Sequence, residues 1–209
     1  CPLVILAWNT ASAKALRAIQ QKDLPGMDPG KRVLGVIRPT TEVIGDYTES
    51  NHIGILGTQG TVDSGSYLIE IGKSFPDVHV YQQACPAWVP LVESGEYLDN
   101  EIADPILLDC LTKLGEQSPK IDTILLACTH YPLLYPRIRY MLPNHMQVVS
   151  QGEIVAESLV SYLQRHPEMG QKISKGQEIT FSTTGNAEEF RQAASAFWGE
   201  DVVAQQVKL

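Results

Sequence analysis

The sequence is short of cysteine, of basic residues and of long apolar runs, and each shortage argues against a class of protein. Its four cysteines, Cys1, Cys85, Cys110 and Cys128, are too few and too widely spaced in 209 residues for a disulfide framework. None forms a C-x-x-C pair suited to zinc, so a reducing, cytoplasmic setting is expected. Lysine and arginine number 16 against 24 acids, a formal charge of -8. That balance speaks against a nucleic-acid partner, because phosphate binding needs a basic face that releases counterions. The longest apolar stretches, residues 3–8 and 124–128, fall far short of the roughly 20 residues that cross a bilayer, and no membrane role is expected. The opening Cys1-Pro2-Leu3-Val4-Ile5-Leu6 has no initiator Met, no basic leader region and no small-residue cleavage site, so it does not read as a signal peptide. It reads as a fragment that starts just before a core strand. With 44% hydrophobic residues the chain can bury an ordinary core.

What is present is an alternation. Apolar, β-branched runs of strand length lie at residues 4–7, 33–37, 53–56, 78–82, 123–127, 147–149 and 179–182, with helical patterns between most of them. This is the signature of βα units around parallel sheets, hence an α/β fold. The first helix is expected to begin after Asn9, acting as N-cap, and to stop before Pro25-Gly26. Pro132 and Gly152 mark two further helix starts. One internal echo stands out. Residues 4–10 and 124–130 share a plan: apolar strand, Ala, one distinctive residue, then small polar residues opening a helix. Two such strand ends suggest two similar halves, and ligands in open α/β sheets bind beyond the carboxyl ends of strands.

The second of those ends carries chemistry. Cys128 follows a hydrophobic strand and precedes Thr129, His130 and Pro132, where a helix can start. Backbone N-H groups at a helix start favour an anion, and a thiol there can ionise well below its usual range and act as base or nucleophile. The alternative is a buried structural cysteine, the usual fate of the residue. Polar neighbours weigh against it, since Thr129 and His130 are poor core filler. His130 could orient a carboxylate, tune the thiol or move protons itself. His52, His79, His145 and His166 lack partners at metal-ligand spacing and are assigned surface or strand-edge places. Residues 54–60 resemble a glycine-rich dinucleotide loop only weakly, because the following strand ends in Gln82-Gln83 and not in the acid that would hold a ribose. Thr58 and Thr61 could instead offer hydroxyls to a carboxylate. Glu93 is either a supporting acid or a solvated helix carboxylate.

Taken together, Asn9-Thr10-Ala11-Ser12, Gly57-Thr58-Gln59-Gly60-Thr61-Val62, Ala84-Cys85-Pro86 with Val89-Pro90-Leu91-Val92-Glu93, and Cys128-Thr129-His130-Tyr131-Pro132 resemble the glutamate racemase family of the aspartate/glutamate racemase superfamily. Their order and spacing match over essentially the whole chain, and Phe181-Ser182-Thr183-Thr184-Gly185 is similar to the family's closing strand. The resemblance implies two pseudosymmetric α/β domains, each a mostly parallel sheet flanked by helices, with the active site in the cleft between them. Residues 1–38 with 149–209 would form the first domain and 39–148 the second. It also implies cofactor-independent and metal-free racemisation of glutamate, supplying D-glutamate for peptidoglycan in the cytoplasm. Two cysteines on opposite faces of the α-carbon would exchange its proton, and Cys128 carries over as one of them. Asn9, Thr10, Thr129 and His130 match positions that bind substrate or assist proton transfer, with Thr61 and Glu93 as further candidates. A homodimer is one assembly the resemblance allows.

Two departures qualify it. Trp8 stands where the family has its other catalytic cysteine, and an indole cannot transfer protons as a thiol does. The family's N-terminal segment, with an Asp-Ser-Gly loop, has no counterpart, so the chain reads as N-terminally incomplete. A smaller change is Ser150, where many relatives of that family have an acid. Alternatives therefore stay open: a non-catalytic or regulatory relative on the same scaffold, a racemase for another acidic amino acid such as aspartate, and, further off, a cysteine hydrolase using Cys128 and His130.

Overall fold

The computed structural model describes residues 1–176 and 179–208. The chain divides into two compact units, Cys1–Ile173 and Ser174–Leu209. In the first, β1 (Leu3–Leu6) and β2 (Arg32–Gly35) form a parallel pair, joined through α1 (Asn9–Lys14), α2 (Leu16–Ala18), a π-helical stretch Ile19–Asp23 and α3 (Leu24–Met27). After α4 (Ile37–Thr41) the chain builds a four-stranded, all-parallel sheet in the order β4-β3-β5-β6. Its strands are β3 (His52–Gly57), β4 (His79–Ala84), β5 (Thr123–Ala127) and β6 (Gln147–Ser150). Between them run α5 (Gln59–Asp63), α6 (Ser66–Ser74), α7 (Trp88–Glu93), α8 (Asn100–Gln117) and α9 (Tyr135–Met141), followed by α10 (Gln151–Arg165) and α11 (Pro167–Lys172). The second unit holds the parallel pair β7 (Phe181–Thr183) and β8 (Ala204–Gln206) with α12 (Ala187–Trp198) between them. Asn186 caps α12, its side chain accepting from the N-H groups of Glu188 and Glu189.

The four-stranded sheet shows why the apolar runs are continuous. In β5 every residue is buried, and side chains of a strand alternate between faces. Ile124 and Leu126, with Leu56 of β3, pack under Leu91, Leu107, Leu111 and Leu114 of α7 and α8 and Ile138 of α9. Leu125 and Ala127, with Ile53 and Ile55, pack on the other side against Ile37, Tyr67, Ile71 and Ile154. A parallel sheet clad by helices on both faces has no polar side to offer, so its strands carry no polar alternation. Gly54 is where α8 presses closest: a Cβ there would lie 2.6 Å from Leu114 Cδ2.

Strand order also positions the site. From β3 the chain goes outward to β4 and then returns past β3 to β5, so the connections leave β3 and β5 in opposite directions. Open α/β sheets bind ligands at such a switch point, beyond the carboxyl ends of the two strands. Gly57 and Ala127 are register partners there. The loops that follow, with Thr58 and Cys128 at their heads, leave the sheet side by side.

Two expectations about the first helix are corrected. Its N-cap is Trp8, which makes no side-chain cap bond, and Asn9 is the first helical residue. Asn9 is buried instead, with its carboxamide committed to other side chains, so it cannot turn back to the helix end. Nor does one helix run unbroken to Pro25-Gly26. It breaks at Ala15, widens into the π-helical stretch and continues through α3, where Pro25 occupies an early position that needs no N-H.

Candidate active site

Cys128 is the first residue beyond β5 and is 5% exposed. It continues the strand's alternation, so its side chain joins Leu126, Trp88 and Tyr131 on the face covered by α7 and α8. Burial pushes its thiol above the ordinary value, because a thiolate loses water there. The N-H groups of His130, Thr129 and Tyr131 pull it the other way, and the carboxylate of Glu93 adds to the rise. The net direction is upward, which corrects the expectation of a readily ionised thiol. Turn N-H groups do face the sulfur as the sequence suggests, but desolvation outweighs them.

The sulfur has a proton acceptor in reach. His130 Nδ1 lies 3.9 Å from Cys128 Sγ, and its other ring nitrogen, Nε2, is 3.1 Å from Glu93 Oε1. A carboxylate only accepts, so Nε2 carries a hydrogen, and in the neutral tautomer that this selects, Nδ1 faces the thiol as a lone pair. Glu93 is the last residue of α7 and reaches the loop after β5 from the connection after β4. Carboxylate, imidazole and thiol thus form one line. Behind it, Tyr131 Oη donates to the carbonyl of Cys85 at 3.1 Å and Trp88 meets the Tyr131 ring edge-on at 4.9 Å. These two buried rings hold the loop from below.

Across the switch point, three hydroxyls meet. Thr10 Oγ1 is 2.9 Å from Thr58 Oγ1 and 3.2 Å from Thr61 Oγ1, and the last two are 3.1 Å apart. Thr58 also caps α5 by accepting from the N-H of Thr61. Each hydroxyl can donate once and accept twice. The triangle therefore keeps spare accepting capacity and can redirect a donor when a carboxylate arrives. It joins α1 to α5, and Gly60 allows the approach, since a Cβ there would lie 3.0 Å from Thr10 Cγ2. Thr129 is exposed. Trp8, two residues beyond the end of β1, is 62% exposed. Asn9 is 2% exposed and bonds to Gln151 and Tyr67.

Of the residues singled out in the sequence, Cys128, His130 and Glu93 are brought into contact, and so are Thr10 and Thr61. Thr58 joins the second group, and Tyr67 and Gln151, which the sequence did not single out, surround Asn9. Among the described residues no group of three or more His, Cys, Asp or Glu side chains is placed to hold a metal ion.

A glutamate racemase from Enterococcus faecalis is 36% identical to this chain over 99% of its length and 73% of the relative's. The chain belongs to the glutamate racemase family. A racemase of that name from a Ruegeria species is 35% identical over 97% of the chain and 75% of its own length. Among solved structures, glutamate racemase isoform RacE1 from Bacillus anthracis superposes with a TM-score of 0.86 at 28% identity, covering all of this chain and 74% of that one. The glutamate racemase from Thermus thermophilus in complex with β-chloro-D-alanine gives 0.76 at 29% identity, with the same full coverage and 73% of its own chain. No family model matches the sequence. The α/β expectation, with parallel sheets flanked by helices, agrees with these racemase folds.

Proposed function

We propose that the chain removes the α-proton of glutamate with Cys128 and returns a proton to the same face, and that Trp8 slows inversion. The line Glu93, His130, Cys128 carries this reading. His130 Nδ1 takes the thiol's proton, and Glu93 offsets the charge that then appears on the imidazole. The thiolate so formed takes hydrogen from the α-carbon, leaving its electron pair delocalised toward the substrate carboxylate. The burial that makes Cys128 hard to ionise also makes its thiolate a stronger base, which a weak carbon acid needs. The hydroxyls of Thr10, Thr58 and Thr61, with Thr129, are suited to the carboxylates of an acidic amino acid. Inversion requires a second acid on the opposite face, and the indole of Trp8 has none to give.

A supply of D-glutamate for peptidoglycan, in the cytoplasm, is the role that membership of the family implies. A second reading, a non-catalytic relative on the same scaffold, is favoured by Trp8 alone. Both are tested by incubating L- and D-glutamate separately in deuterated water, following α-proton loss by NMR and configuration by chiral chromatography. One enantiomer is expected to exchange its α-proton with little inversion, and Cys128→Ser is expected to stop it. Absence of exchange in either enantiomer would favour the non-catalytic relative. Rapid interconversion of both would show that Trp8 is no obstacle. The same assay with aspartate decides the substrate, and sedimentation in solution decides whether the chain forms a homodimer.

A further inference from the structure

Asn9, Tyr67 and Gln151 close a ring of hydrogen bonds. Tyr67 Oη donates to Asn9 Oδ1 at 2.7 Å, Asn9 Nδ2 donates to Gln151 Oε1 at 2.8 Å, and Gln151 Nε2 donates to Tyr67 Oη at 2.7 Å. Gln151 Nε2 also reaches Val36 O at 3.3 Å and Thr40 Oγ1 at 3.1 Å. The sense of the ring is fixed by chemistry. Val36 offers a carbonyl, which only accepts, so the nitrogen of Gln151 faces it and the oxygen faces Asn9. Asn9 must then present its nitrogen to Gln151 and its oxygen to Tyr67, and the single hydrogen of Tyr67 points to Asn9. All three side chains are buried, so no water can replace a missing member at low cost.

The ring ties together elements far apart in sequence. Asn9 opens α1, Tyr67 lies on α6, Gln151 opens α10, and Thr40 is on α4. It spends the oxygen of Asn9 and one of its amide hydrogens inside the protein. The neighbouring Thr10, half-buried and bonded to Thr58 and Thr61, is the group on this turn that a substrate can still engage.

We propose that Tyr67 and Gln151 are positioning residues: acting through Asn9, they fix the first turn of α1 so that the Thr10 hydroxyl stands ready for a substrate carboxylate. This rests on the proton-transfer reading above. The ring lowers the concentration of glutamate needed for half-saturation and leaves the proton-transfer line of Cys128, His130 and Glu93 untouched.

Tyr67→Phe removes two sides of the ring with little change of shape, and Gln151→Met provides a second variant should the first not fold. Thr40→Val is the control, because it removes a bond to the same Gln151 nitrogen and keeps the ring. For each, melting temperature, α-proton exchange of glutamate in deuterated water against glutamate concentration, and solvent exchange of the Asn9 side-chain amide by NMR are measured. Tyr67→Phe and Gln151→Met are expected to raise the half-saturating concentration at least tenfold with a much smaller change in maximal rate, and to speed Asn9 amide exchange at least tenfold. Thr40→Val is expected to leave both within twofold of the parent. If the parent exchanges and Tyr67→Phe saturates at the same concentration as Thr40→Val, the positioning role is overturned while proton transfer stands. If the parent neither exchanges nor binds glutamate, the proton-transfer reading falls and takes the positioning role with it.

Discussion

Replacing Trp8 with cysteine should turn an exchanging chain into an inverting one. The perturbation is a clean one because of where Trp8 sits. The residue is 62% exposed, its side chain makes no capping bond, and its backbone, at φ -134° and ψ 116°, is extended, a conformation cysteine adopts without strain. An exposed substitution of this kind shifts stability by about 0.5 kcal/mol or less. A change in rate can then be read without a folding correction. A positioned acid or base contributes roughly 10²–10⁴ in rate, equivalent to about 3–5 kcal/mol of barrier. Inversion of either enantiomer by Trp8→Cys should therefore rise by about two to four orders of magnitude over the parent, within that same range for one added acid. Exchange at the Cys128 face, which already has its base, should change far less. The assay is chiral chromatography alongside α-deuterium incorporation, on matched protein concentrations and with melting curves for both chains. Unchanged inversion in a folded Trp8→Cys chain that still exchanges at Cys128 would refute the assignment of the second face to position 8.

Further expectations follow from the site and the sheet. Because burial holds the Cys128 thiol above its ordinary value, a chain without the imidazole acceptor must give the thiol's proton to solvent, so the residual α-proton exchange of His130→Asn should climb about tenfold per unit between roughly pH 7 and 9; a flat profile of that variant below pH 8 would contradict the raised thiol. His130→Asn removes the nitrogen that accepts from the sulfur and should cut exchange by roughly 10²–10⁴, measured by NMR at saturating glutamate. Gly60→Ala puts a methyl 3.0 Å from Thr10 Cγ2 and should raise the half-saturating glutamate concentration, as the hydroxyl triangle opens. Gly54→Ala, with a methyl 2.6 Å from Leu114 Cδ2, overpacks the α8 face and should cost about 1–3 kcal/mol, a fall of roughly 2–12 °C in a calorimetric scan.

How far the sequence could be read depended on the distance over which each feature is built. The strands of the central sheet were legible, since two-sided burial leaves unbroken apolar runs such as residues 123–127, where β5 lies. β8 was not: Ala204-Gln205-Gln206 has neither β-branched residues nor alternation, and only pairing with β7 makes it a strand. The helix after β1 was read as one piece because Pro25-Gly26 is a strong stop signal, yet proline fits an early helical position where no N-H is required. At the site, Cys128 and His130 were legible from one loop, and Glu93 from its place in a second motif. The direction of the thiol's shift was not, because turn N-H groups can be inferred from a local pattern whereas burial depends on α7 and α8 closing over the sheet. Tyr67 and Gln151 left no local signal, being 58 and 142 residues from the Asn9 they bond.

Gly57 and Ala127 stand opposite each other at the last rung of β3 and β5. Everything below that rung is shared framework, whereas the groups that would touch a ligand begin one residue later on each strand. Insertions beyond the rung could reshape what side group is admitted without moving the sulfur. A single residue added within either strand would instead turn its reactive end to the opposite side of the sheet. Diversity of substrate on such a scaffold is thus free to arise in the loops, and conservatism is enforced on the rungs.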